Sequence, residues 1–222
     1  MMTLISEGKG EILAERYVPL DATRHELTAL ARHIKSKQPD VVFCTVVGEA
    51  AARFHQACRE EGISPADTTI AGLTITEAEV QLMGAELARG HLTAATYFES
   101  IDSPANRRFV DRYRSAYGPA AHTNAMAETA WSLTSMVLAA ADRCGSMDAD
   151  ALRNEMAREP FDAPQGIIRL DTQNNHFHLW PRVARVGYDG GFEVLETAPC
   201  ALKPDPYLIN HGIAGNDPGT RD

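Results

Sequence analysis

DVVFCTVVGEAAARFHQA, from Asp40 to Ala57, decides how this chain is read. Val41 to Val47 is an unbroken apolar, largely β-branched run with no polar alternation. A strand of that kind is expected to be covered on both faces, as in a parallel sheet between helices. Gly48 ends the run, and Ala51, Phe54 and Cys58 then recur at helical spacing. A strand that passes through a tight loop into a helix puts the loop at the carboxyl end of the sheet. Open α/β sheets bind small molecules there.

Upstream, Glu11–Val18 mixes apolar and charged residues and is expected to be a strand near a sheet edge, stopped by Pro19. Asp21 or Thr23 is placed to cap a helix whose Leu27, Leu30, Ala31 and Ile34 share a face. Residues 1–7 resemble the last turns of a helix, closed by Gly8 and Gly10. Downstream, Thr69–Leu73 and Leu92–Phe98 are expected strands. Between them, Thr76 and Glu79 form a T-x-x-E capping box that starts a helix next to Thr74. The order β-α-β-α-β-α-β predicts a parallel sheet with crossover helices.

The pattern changes at Asp102. Helices are expected over 105–117, 124–144 and 148–158. The long middle one carries an apolar face of Ala127, Ala130, Trp131, Thr134, Val137, Leu138 and Ala141. Three successive helices need a surface of their own, so a second lobe is inferred. After Pro164 the pattern is β again, with strands at 167–170, 177–186 and 192–195 and a hairpin turn at Asp189-Gly190. Lys203–Tyr207 is a proline-stiffened crossing segment, and residues 211–222 are expected to be a flexible tail.

The chain of 222 residues suits one large domain or two small lobes. The net charge is −9, with Lys and Arg dispersed, which argues against direct nucleic-acid binding. No apolar run approaches the roughly 20 residues of a membrane span. The start lacks the basic and apolar regions of a signal peptide. Cys44, Cys58, Cys144 and Cys200 lie far apart, so a reducing compartment fits better than a disulfide framework. His176 and His178 sit two apart on a strand but have no third ligand by spacing, and read as hairpin surface. Glu79 has a capping role; Glu77 and Glu128 read as ordinary helix residues, Glu128 as a solvated one. No nucleophile–base arrangement, GxGxxG or Walker loop is present. What remains is two loops, Thr45–Gly48 and Thr74–Ile75, rich in hydroxyls and backbone amides. They suit holding a small neutral polar molecule rather than transforming it. The reading calls for no cofactor or metal and no catalytic residue.

The strings DVVFCTVVG, LTITEAEV, YFESIDSPANRRFV, FDAPQGIIRLDTQNNHFHL and KPDPYLI, in this order, resemble the type-I periplasmic-binding-protein family. Within it they are most similar to the amide/urea branch, in particular the amide-sensing negative regulators of aliphatic amidase operons. The sibling group is the urea and short-chain-amide receptors of ABC transporters. The resemblance implies two α/β lobes joined by three crossings, with the ligand clamped between them. Residues 1–100 would form most of the second lobe, 101–164 helices of an incomplete first lobe, and 165–210 a return to the second. It places Thr74 opposite the amide, with Thr45, Val47, Gly48 and Ile75 around it. It implies an antiterminator-type protein partner and a cytoplasmic location, or an ABC permease and a periplasmic one in the transport alternative. A homo-oligomer is compatible with either.

Family members are longer, so the sequence is expected to be a C-terminal fragment. Baring several hundred Å² of the long helix would cost on the order of 10 kcal/mol at about 25 cal/mol per Å². The chain alone is therefore expected to be poorly soluble or to repack its helices, and to bind amides weakly.

Overall fold

The computed structural model describes Ile5 and residues 8–206. The expected helix end at residues 1–7 apart from Ile5, Tyr207 of the crossing segment, and the tail lie outside the described residues. Glu11–Val18 is not a strand. Its residues up to Tyr17 are exposed and pair with nothing as a sheet, because Glu11, Glu15 and Arg16 interrupt any apolar face.

Helix α1 (Arg24–Lys37) starts at Thr23, whose N–H meets Glu26 Oε2 at 2.7 Å while its hydroxyl accepts from the Glu26 N–H at 3.3 Å. It ends with Lys35 and Lys37 against the negative end of its dipole. Strand β1 (Val41–Cys44), helix α2 (Glu49–Glu60), strand β2 (Thr69–Gly72), the short helices α3 (Glu77–Met83) and α4 (Ala85–Ala88), and strand β3 (Leu92–Ala95) follow. β1, β2 and β3 are parallel neighbours, with Val41 opposite Thr69 and Ala71 opposite Leu92.

The helices expected after residue 102 are α5 (Pro104–Tyr117), α6 (Ala125–Cys144) and α7 (Ala149–Met156), begun by the side chains of Ser103, Asn124 and Asp148. Strands β4 (Phe161–Ala163), β5 (Gly166–Leu170) and β6 (Phe177–His178) form a small antiparallel sheet. Strands β7 (Arg182–Val186) and β8 (Phe192–Thr197) form a hairpin that joins the first sheet, β7 antiparallel to β3. The first sheet is thus mixed, in the order β1-β2-β3-β7-β8. The chain rejoins it at Arg182, not at residue 165, because Pro181 splits the expected strand 177–186 and the first half pairs with β5.

Three apolar cores result. Leu27, Ala31, Phe54 and Ile70 close α1 and α2 over β1 and β2. Ile75, Val80, Phe98, Val186 and Phe192 fill the space between α3 and the β7–β8 hairpin. Met136, Met156, Ala163 and Ile168 join α6, α7 and the small sheet. Two expectations about burial fail. β1 stands at the sheet edge and is covered on one face only, leaving Val41 53% and Phe43 41% exposed. Helix α6 buries Glu128, Ser132, Met136 and Ala140, while Leu133 and Leu138 of its apolar side stay exposed. Small residues let the helix approach the small sheet closely on that seam; among the described residues nothing covers the other side.

Candidate functional site

The βα loops after β1 and β2 meet at the carboxyl edge of the sheet. Thr74 Oγ1 donates to the Val46 carbonyl at 3.0 Å, so the two loops are joined by a side chain. Thr45, Val47 and Gly48 are exposed on the first loop, and Thr74 is half-buried on the second. Gly48 has φ +61°, and a methyl group placed there would meet nothing within 4 Å. Glycine is required for its backbone, not for space. It is also the N-cap of α2, and no side chain bonds the first amides of that helix. Ile75, expected beside the ligand, has only 6% of its surface exposed and packs in the core with Val80 and Phe98. Its side chain is a support for the loop.

The T-x-x-E signal at α3 forms: Glu79 Oε2 takes the Thr76 N–H at 3.0 Å and the Thr76 hydroxyl at 2.5 Å. Thr76→Ala is expected to lower stability by about 1 kcal/mol, read as a shift of the urea midpoint with an unchanged slope.

Next to this start lies a polar knot that sequence reading did not find. Glu77 is buried, and its Oε1 accepts the Glu99 N–H at 2.7 Å. Its Oε2 has no partner among the described residues. Burial pushes the Glu77 carboxyl up to about 7, with the charges of Glu99 and Glu79 adding to the effect. Glu99 gathers Arg114 Nη2 at 2.6 Å and the Thr123 N–H at 2.6 Å, with His122 Nδ1 at 3.1 Å. Tyr97, fully buried, donates to Asn106 Oδ1 at 2.8 Å, and Asn106 Nδ2 donates to the carbonyls of Glu99 and Ile101. The segment from β3 to α5 is therefore fixed by its own side chains. A recess of about 400 Å³, lined by Glu77, Glu99, His122, Asp189 and Phe192, opens beside it.

A second knot ties the crossings. Arg182 Nη1 donates to the carbonyls of Thr96 at 2.5 Å and Trp180 at 2.9 Å, and Nη2 to that of Gln165 at 2.7 Å. Glu128, expected to be solvated, is 0% exposed and accepts from Ser132 and Gln165. Burial pushes its carboxyl up, while its two hydrogen bonds and the Arg182 charge act against this. Arg182 had a sequence signal: it shares a strand face with Ala184 and Val186, where an apolar residue belongs. For Glu128 no such signal existed, since what covers it comes from Gln165, far along the chain.

His176 and His178 do not form a site: His176 turns to the Asn174 carbonyl, and His178 lies 3.7 Å from Asp171. Among the described residues no group of three or more His, Cys, Asp or Glu could hold a metal ion. Cys44 and Cys58 are buried as small apolar groups, as read from the sequence. Among the described residues no helix is long and apolar enough to cross a membrane.

An α/β chain with hydroxyl- and amide-bearing loops at a sheet edge, and crossings tied by one arginine, is the architecture of a solute-binding protein. The match to the periplasmic binding protein domain runs over residues 1–212, and the chain belongs to that family. Solved relatives share the fold. A solute-binding protein of an ABC transporter from Rhodopseudomonas palustris BisB5, in complex with 3,4-dihydroxybenzoic acid, superposes with a TM-score of 0.78 at 24% identity. The match covers 90% of this chain and 55% of that one. The amino acid ABC transporter substrate-binding protein of Pseudomonas fluorescens Pf-5 gives a TM-score of 0.80 at 17% identity, over 92% of this chain and 55% of the other. A limonene hydroxylase of Geobacillus stearothermophilus is 27% identical over 128 residues, 58% of this chain and 23% of that protein. The chain thus spans about half the length of the solved relatives and under a quarter of the curated one. The family and its solved neighbours are solute-binding proteins.

Proposed function

We propose that this chain is the amide-facing part of a non-catalytic sensor for small aliphatic amides or urea. The observation that carries the reading is the Thr74–Val46 hydrogen bond beside the uncapped start of α2. The Thr74 hydroxyl has spent its proton, so its lone pairs are left to accept an N–H. The α2 amides are free to donate to a carbonyl. An uncharged amide has both groups on adjacent atoms. Glu49 is the one charged side chain from Thr45 to Glu49, in line with a neutral ligand. On this reading the ligand acts by favouring a closed state over an open one, and that change alters the grip on an antiterminator-type regulator in the cytoplasm.

A second reading, a receptor that hands the same solutes to an ABC permease in the periplasm, is supported by the transport assignments of the solved neighbours. Equilibrium binding separates these from an enzyme. Saturation-transfer NMR of the whole chain with acetamide, propionamide and urea is expected to show binding, with no ammonia released. Thr74→Val, which keeps the volume and removes the acceptor, is expected to weaken binding at least tenfold, about 1.4 kcal/mol. Equal signals from both proteins would end the amide assignment. Among partners, pull-down of an antiterminator-type protein only with ligand-free chain favours the sensor, and stimulation of a permease favours transport.

A further inference from the structure

A second recess, of about 430 Å³, lies between α6, β5, the β6–β7 connection and residues 202–204. It is separate from the sheet-end loops: none of Thr45, Val47, Gly48 or Thr74 lines it. Its walls are apolar, from Leu133, Ile168, Phe177, Leu179 and Leu202. This is within the size range of small-molecule pockets, which combine apolar walls with a few fixed polar groups.

The polar groups that reach it have a consistent sense. Ser132 Oγ donates to Glu128 Oε1 at 2.8 Å, and Thr129 Oγ1 donates to the Ala125 carbonyl at 2.8 Å. Gln165 Nε2 donates to Glu128 Oε2 at 2.9 Å. With these protons used inside the protein, what each residue has left for the recess is an acceptor. Gln165 shows this most clearly: it is 3% exposed, and its Oε1 is without a partner among the described residues. Two donors converge on Glu128, and this sets which end of the Gln165 amide is left over. A buried acceptor left unpaired is costly, and a ligand that brings one donor removes that cost.

We propose that this recess is a second small-molecule site, one that takes a compact apolar molecule carrying a single hydroxyl donor, a monocyclic phenol in chemical class. The ring fills the space between Leu133, Ile168 and Phe177, and the hydroxyl donates to Gln165 Oε1. The site does not depend on the amide reading above.

The test is ligand-observed NMR titration of the whole chain with phenol, toluene and anisole. The three are of similar size, and only phenol carries a donor. Phenol is expected to give a saturable signal, and toluene and anisole to bind at least tenfold more weakly. Gln165→Met is expected to lose the preference for phenol. Because Gln165 also holds Glu128, a second variant is needed: Leu133→Trp, at a half-exposed position on α6, fills the recess and is expected to abolish phenol binding with the helical circular dichroism retained. Thr74→Val is expected to leave phenol binding unchanged, so failure of one site is distinguishable from failure of the other. Absence of phenol binding, equal binding of toluene, or phenol binding retained in the Leu133→Trp protein would each overturn the assignment.

Discussion

Arg182→Met is expected to destabilise the protein by about 3–5 kcal/mol, the cost of breaking one partner out of a buried charged network. The side chain is 8% exposed and spreads one guanidinium over three carbonyls, those of Thr96, Gln165 and Trp180. Methionine keeps the stem packed and removes every donor. Three carbonyls lose a partner, and Glu128, fully buried, loses the cation that opposes its burial. Arg182→Lys is not expected to rescue it, since an ammonium cannot reproduce the planar fork. Urea denaturation checks the size. A loss below about 1 kcal/mol, the level of exposed ion pairs, would mean that the crossings are held by something else. The segments 96–103 and 164–166 are also expected to exchange amide protons faster in the variant.

The second large effect is on pH. Glu77 has its pKa raised to about 7 from an ordinary 4.5, chiefly by burial. Between those values the folded protein keeps a proton that the unfolded chain releases. Stability therefore falls as pH rises through the window. The full contribution is present below the ordinary value and gone above about 7, a swing of about 3 kcal/mol. His55 and His91 act in the opposite direction. Burial lowers them to about 4 and about 3, and His91 Nδ1 accepts the Ile70 N–H at 3.1 Å. Both are neutral when folded and must charge in acid, so their contribution is lost as pH falls below the ordinary imidazole range. The two slopes overlap in the wild type, and Glu77→Gln separates them. Glutamine still accepts from Glu99 and cannot ionise. Its stability relative to wild type is expected to be about 3 kcal/mol greater near pH 8 than near pH 4.5. Guanidinium melts at both pH values read this directly, and a difference that does not change with pH would exclude Glu77 as the titrating group.

Much of the architecture could be read from local chemistry. The caps at Thr23, Ser103, Asn124 and Asp148 are short-range events, and the helices they start lie within two residues of expectation at that end. The Asp189-Gly190 turn is equally local. What failed was information held in distant partners. Val41 and Phe43 look like residues of a central strand, yet their strand stands at an edge. The apolar stripe of α6 pointed to one face, and the helix buried the face of Glu128 and Ser132, because Gln165 and the small sheet supply what those side chains need. At the candidate site, Thr74 and the first loop were legible from their place after strands. Glu77, Glu99 and Arg182 were not, since their roles depend on residues up to 86 positions away.

The hydrogen bond from Thr74 to Val46 also has a thermodynamic side. Two separate loops would each surrender backbone freedom on meeting a solute, at roughly 1–2 kcal/mol for every residue fixed. Here that entropy is given up when the chain folds, long before any solute arrives. A clasp of this kind favours quick capture of very small molecules, which have too few atoms to organise a floppy receptor around themselves.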